Sequence, residues 1–218
     1  EIAWTIRCIA VKHLKCDDAT AESYAEAIET LRVHQAGLSE KNNAGPKQID
    51  DPRTVVRLLN YPDELFEAAE IAEEDGDFGY AEALYLRCLD LDRNDPVIAF
   101  NLGNVQREQG KLREARFFFQ HALSSDPSYV EALYNLGDVL DKEDKRDEAK
   151  ETLTRAVKKD KNYADAIFNL AQLHFRDSEY AAALAGYERY LTLDDASEWS
   201  RIARQTLMLC RQMTAAGG

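Results

Sequence analysis

From about residue 62 onward, apolar residues recur at steps of three and four. Leu133, Leu136 and Leu140 are followed by Ala149, Leu153 and Ala156, the spacing of buried helical faces. A longer period lies over this one. Written in rows of 34, the chain divides into Pro62 to Asp95, Pro96 to Tyr129, Val130 to Tyr163 and Ala164 to Ser197 with no insertion. Row position 8 then reads Ala69, Gly103, Gly137, Ala171; position 20 reads Ala81, Ala115, Ala149, Ala183; position 24 reads Tyr85, Phe119, Leu153, Tyr187. Small residues recur where large ones would clash, so each row predicts two short amphipathic helices in close contact. Gly76 and Gly110 mark the turn between them, and Asp144 and Ser178 take that place in the later rows.

This pattern resembles the tetratricopeptide repeat (TPR) family and is similar to its bacterial members. The resemblance rests on Asn101-Leu102-Gly103, Asn135-Leu136-Gly137 and Asn169-Leu170-Ala171 in the first helix of a row (helix A), on the alanine and the bulky residue in the second (helix B), and on Asp126-Pro127 closing a row. It covers four repeats over residues 62–197 (62–95, 96–129, 130–163, 164–197) and a solvating cap within residues 198–218, from Glu198 to about Met213. It implies an all-α, right-handed superhelical solenoid of helix-turn-helix repeats, with a concave groove lined by the A helices. Two positions depart from the family. Proline at position 32 survives only as Pro127, and position 27 of the last row is Tyr190 instead of a small residue, a change suited to a site where a cap replaces a fifth repeat.

Residues 1–61 stand outside the register as an N-terminal helical region. Ile2, Trp4, Ile6, Ile9, Val11 and Leu14, then Tyr24, Ile28 and Leu31 after Thr20, predict two helices. A loop from Ala36 to Asp51 and a short helix from Asp51-Pro52 to Asn60 follow. This region is expected to pack on the first repeat; the alternatives are a dimer contact or the remnant of an upstream domain. The chain begins at Glu1 and not at methionine, which points to processing or a longer parent protein.

The chain has 218 residues with 40 acidic and 27 basic side chains, a formal charge of −13. No 18-residue stretch is free of charge, so no membrane span is expected. The acidity argues against direct binding of nucleic acid and for basic partners. Cys8, Cys16, Cys88 and Cys210 lie far apart, consistent with reduced thiols and a cytoplasmic location. The acid is uneven. Pro62 to Asp95 holds 12 acidic and 2 basic residues, whereas the next row has 3 and 4.

By the resemblance, helix A positions 2, 5, 6, 9 and 12 face the groove. Position 5 gives Phe66, Phe100, Tyr134 and Phe168, an aromatic column; position 6 gives Glu67, Asn101, Asn135 and Asn169; position 9 gives Glu70, Asn104, Asp138 and Gln172. An asparagine ladder could hydrogen-bond an extended ligand backbone without demanding one side chain. The alternative is that the aromatics simply fill the space between helices. The family's clamp for an acidic chaperone tail needs cations where this chain has Phe66, Glu131 and Asn135, which argues against that ligand.

No catalytic constellation emerges. His13, His34, His121 and His174 are scattered, and His174 at packing position 11 reads as a core histidine. Cys8, His13, Cys16 and His34 match no zinc spacing, so no cofactor or metal is expected. The sequence thus points to a non-enzymatic protein–protein interaction module or scaffold that binds an extended, basic peptide or partner protein in its groove. The alternative is the partner-sensing or oligomerising half of a larger regulator whose effector domain lies upstream of residue 1, with self-association a further option.

Overall fold

The computed structural model describes residues 62–216. The two N-terminal helices, the loop of residues 36–51, the short helix ending at Asn60 and the Cys8, His13, Cys16, His34 grouping lie outside the described residues. All regular structure among the described residues is helical: α1 (Pro62–Glu74), α2 (Phe78–Leu91), α3 (Pro96–Glu108), α4 (Leu112–Ser125), α5 (Val130–Lys142), α6 (Arg146–Lys159), α7 (Ala164–Arg176), α8 (Tyr180–Leu193) and α9 (Glu198–Ala216). The last helix runs past Met213, where the apolar pattern had placed its end.

The turn inside each pair is built the same way. The residue at row position 15 takes a positive φ, 75° at Gly76 and Gly110, 59° at Asp144 and 63° at Ser178. The following amide reaches back five residues, as in Lys111 N to Gln106 O and Lys145 N to Leu140 O, both 2.9 Å. These bonds satisfy carbonyls that the helix end leaves open. Glycine enters this left-handed backbone freely, while Asp144 and Ser178 hold it against the Cβ penalty.

The link from one pair to the next uses an aspartate at row position 31. Asp92, Asp126, Asp160 and Asp194 each accept the amide two residues on, from Asn94, Ser128, Asn162 and Ala196 at 2.8–3.2 Å. These are side-chain turns that set the chain up for the next helix. Asp95 then caps α3, accepting from Val97 N at 2.7 Å and Ile98 N at 3.3 Å, with Pro96 in the first turn.

The chain forms two compact units, one ending at Ser125 and the other beginning at Asp126. In the first, α3 and α4 approach so closely that a Cβ on Gly103 would lie 2.5 Å from the Phe119 ring. The space left at position 8 is thus filled from position 24. Phe100 and Phe119 pack at 5.9 Å between centroids, and Phe66 and Tyr85 edge to face at 5.5 Å.

In the second unit Leu153 fills the notch at Gly137, where a Cβ would lie 2.6 Å from its Cγ. The last pair inverts the arrangement: position 8 is Ala171, and Gly186 on α8 makes room for it. A core of Ile167, Phe168, Tyr187, Tyr190, Ala203 and Leu207 joins α7, α8 and α9. Tyr190, the departure at position 27, is buried there and donates through its hydroxyl to Asp194 Oδ2 at 2.6 Å. On α9, Arg201, Arg204 and Gln205 are exposed at row positions 4, 7 and 8, where α5 buries Leu133, Leu136 and Gly137. That face of α9 is polar and open to solvent.

Candidate functional site

The face named from the sequence belongs to the A helices, α1 and α3 in the first unit and α5 and α7 in the second. In the first unit Glu67 and Glu70 on α1 are exposed, and Phe66, Phe100, Asn101 and Asn104 are half-buried. Asn101 does not extend its amide freely. Its Nδ2 donates to the Tyr85 hydroxyl at 3.3 Å, and that hydroxyl donates to Glu73 Oε2 at 3.1 Å. Burial, then the field and hydrogen bond of Glu73, push the Tyr85 hydroxyl well above the usual phenol range. The Glu73 carboxyl is itself raised, first by burial and then by the like charges of Glu108 and Glu70, with the Tyr85 bond and Arg107 opposing. The first unit therefore concentrates negative potential beside an aromatic floor.

In the second unit the same row positions behave differently. Phe168, expected in an open aromatic column, is buried at 4% exposure against Tyr187, Tyr190 and Trp199, at centroid distances of 5.8, 5.1 and 5.4 Å. Asn135, expected on an exposed face, is only 8% exposed. Asn169 donates to the Tyr134 hydroxyl at 3.4 Å, and the Tyr134 ring packs on Tyr163 at 5.4 Å. Asn101 and Asn169 thus bond to tyrosine hydroxyls within the protein. Each of these two amides meets a tyrosine from another helix, Tyr85 on α2 and Tyr134 on α5.

The charge of the second unit is also largely answered. Lys142 Nζ bonds Asp138 Oδ2 at 2.8 Å, and Arg176 pairs with Asp141. Gln172 is half-buried. Tyr163 is pushed up to about 12 by burial and by the carboxylates of Glu131 and Asp165. His174 is not the core residue its position implied: it is half-buried, and its Nδ1 meets Glu179, which also takes Lys150 Nζ at 3.1 Å.

One feature on α9 had no counterpart in the sequence reading. Exposed Trp199, Leu209 and Met213 follow one another with half-buried Ile202 at helical spacing; Trp199 packs on Phe168 of α7, and Met213 lines a recess with Ser178 to Ala182 at the start of α8. Spacing alone could have flagged it, but a cap is expected to be polar all round. Among the described residues no group of three or more His, Cys, Asp or Glu side chains is placed to hold a metal ion, and no helix is long and apolar enough to cross a membrane.

This alternation of closely packed helix pairs defines a repeat protein. Family models described as tetratricopeptide repeat match residues 84–117, 106–162 and 140–198, and the chain belongs to the tetratricopeptide repeat family. The solved structure of MamA is similar at 23% identity and a TM-score of 0.65, over 71% of this chain and 82% of that one. That of pilF from Pseudomonas aeruginosa matches at 20% identity and a TM-score of 0.64, over 91% and 90%. YrrB, solved as a TPR protein with an unusual peptide-binding site, matches at 24% identity and a TM-score of 0.56, over 60% and 68%. At these identities the likeness shows the fold, an all-α TPR solenoid. No curated protein matches the chain.

Proposed function

We propose that this chain is a non-enzymatic protein–protein interaction module that takes a basic, extended segment of a partner on the A-helix face of its first unit. The proposed organisation is an N-terminal region over residues 1–61, four repeats over 62–197 and a capping segment over 198–218, working in the cytoplasm. The observation that carries the reading is the acid on α1, with Glu67 and Glu70 exposed and Glu73 raised by burial and by the fields of Glu108 and Glu70, although Glu108 is itself paired with Arg107 at 3.1 Å. A carboxylate held near others gains most from an incoming cation, since the cation removes a repulsion as well as adding an attraction. Phe66, Phe100 and Asn104 provide a half-buried floor beside it. YrrB, a neighbour in fold, has a peptide-binding site, which supports a peptide ligand for this fold.

The test is fluorescence anisotropy with two labelled 12-residue peptides, one alternating lysine with serine and one alternating glutamate with serine. The full chain is compared with its Glu67→Gln/Glu70→Gln/Glu73→Gln variant at two salt concentrations. The lysine peptide is expected to bind several-fold tighter to the wild type, and the advantage to shrink at high salt. Equal binding to both proteins, or preference for the glutamate peptide, rejects the reading. The asparagine positions are unsuitable for this purpose, because replacing Asn101 or Asn169 breaks bonds to tyrosines inside the protein.

A further inference from the structure

Of the large apolar side chains exposed among the described residues, Trp199, Met208, Leu209 and Met213 all lie on α9. Met208 points to the charged outer face with Arg201 and Arg204. Trp199, Leu209 and Met213 point elsewhere. With Ile202 they form a stripe at intervals of three, seven and four residues, and they are 56%, 50% and 48% exposed. In row register Trp199, Ile202 and Leu209 stand at positions 2, 5 and 12, the positions the A helices turn to the binding face. The cap therefore solvates the end of the array and leaves its binding face apolar.

We infer that this stripe docks an amphipathic helix of a partner protein, apolar along one side and basic at its flanks. The inference rests on the interaction-module reading and extends it to a second contact. Length and area set the type of occupant. From Trp199 to Met213 the stripe runs about 21 Å at 1.5 Å per residue, four turns of helix, with Trp199 and Ile202 at one end, Leu209 and Met213 at the other, and Thr206 between them. A partner helix with anchors at i, i+3 or i+4, and i+7 matches it. A single row of four side chains offers a few hundred Å², well under the ~800 Å² per partner of a stable dimer, which disfavours a second copy. Charge sets the flanks. On the adjoining α7, Asp165 is exposed and its field reaches both Tyr163 and Tyr190, while Arg176 is taken by Asp141. The rim thus presents unpaired acid and calls for lysine or arginine beside the apolar anchors.

The test selects a displayed library of random 16-residue peptides against the full chain. Recovered peptides are then measured on wild type and on the Leu209→Glu/Met213→Glu variant, whose substituted positions are exposed. The expected peptides carry apolar residues at helical spacing with basic flanks and bind the variant at least tenfold more weakly. In a Trp4→Phe background, Trp199 is the sole tryptophan, and its emission is expected to shift to the blue as such a peptide binds. Peptides without that spacing, undiminished binding to a variant of unchanged helicity, no blue shift, or no enrichment each overturn the inference. So does a blue shift that follows protein concentration without peptide, with a dimer in sedimentation, which assigns the stripe to a second copy. The Glu67→Gln/Glu70→Gln/Glu73→Gln variant separates the two contacts: lysine-peptide binding lost there but intact in the α9 variant leaves the first-unit reading standing alone.

Discussion

The two units share one repeat geometry and differ in what they do with charge. In the first, Glu67 and Glu70 of α1 face outward, and Glu73 is lifted first by burial and then by the charges of Glu108 and Glu70. In the second, several carboxylates meet cations: Asp138 is paired with Lys142, Asp141 with Arg176, and Asp177 with Lys150 at 2.7 Å, while Asp165 stays exposed. Hydrogen bonds from Lys150 lower the Asp177 carboxyl, and those from His174 and Lys150 lower Glu179. Helix packing needs only the small and bulky residues at positions 8, 20 and 24. Surface charge is therefore free to differ between rows, and the proposed function draws on that difference.

The largest expected effect comes from the packing notches that the units share. Gly103→Val drives a side chain into the Phe119 ring and should cost about 2–3 kcal/mol in urea unfolding. Gly137→Val should cost less, about 1–2 kcal/mol, because Leu153 can change rotamer where a ring cannot. Equal costs would mean that the notches are equally soft.

Next comes a buried carboxylate that has no equivalent in the second unit. Glu82 is 1% exposed, and its Oε2 accepts from Gln109 Nε2 at 2.9 Å and Lys111 Nζ at 3.2 Å. Lys111→Met should destabilise by about 1–2 kcal/mol, less than for a fully buried pair because Lys111 reaches solvent. Adding Glu82→Gln should restore most of the loss, which a thermal melt of the double variant will show.

Turn substitutions are expected to act in opposite directions. Gly110→Ala should lose about 1 kcal/mol, and Asp144→Gly should gain about 0.5 kcal/mol, since both sites hold a positive φ. If Asp144→Gly destabilises, its side chain does more than tolerate the turn.

The smallest effect is in pH. A carboxyl raised on folding, as at Glu73, favours the folded state most below its ordinary value of 4.5 and loses that contribution as pH rises through the raised value. Carboxyls lowered on folding, as at Asp177, Glu179 and Asp194, contribute above their ordinary values and lose it as pH falls through the lowered ones. Acidification below pH 5 should therefore loosen the second unit before the first, measured as hydrogen exchange of α7 and α8 against α1 and α2.

The sequence carried the helix pairs because small and bulky residues repeat at fixed intervals, and packing makes that repetition obligatory. It also displays an aspartate at position 31 in every row, whose turn-forming bonds only the structure shows. The site was less legible. Periodicity tells which face a residue occupies but not what it meets there: Asn169 finds Tyr134, and Arg176 finds Asp141, each 35 residues away. Phe168 sits at a groove position, yet Tyr190 of α8 and Trp199 of α9 pack against its ring.

The most direct test of the interaction face is an NMR titration of the full chain with the alternating lysine peptide. The expected result is saturable shifts confined to α1 and α3, including the side-chain amide signals of Asn101 and Asn104. Shifts concentrated on α2 and α4, or none in either A helix at saturating peptide, would contradict a binding site on the A-helix face.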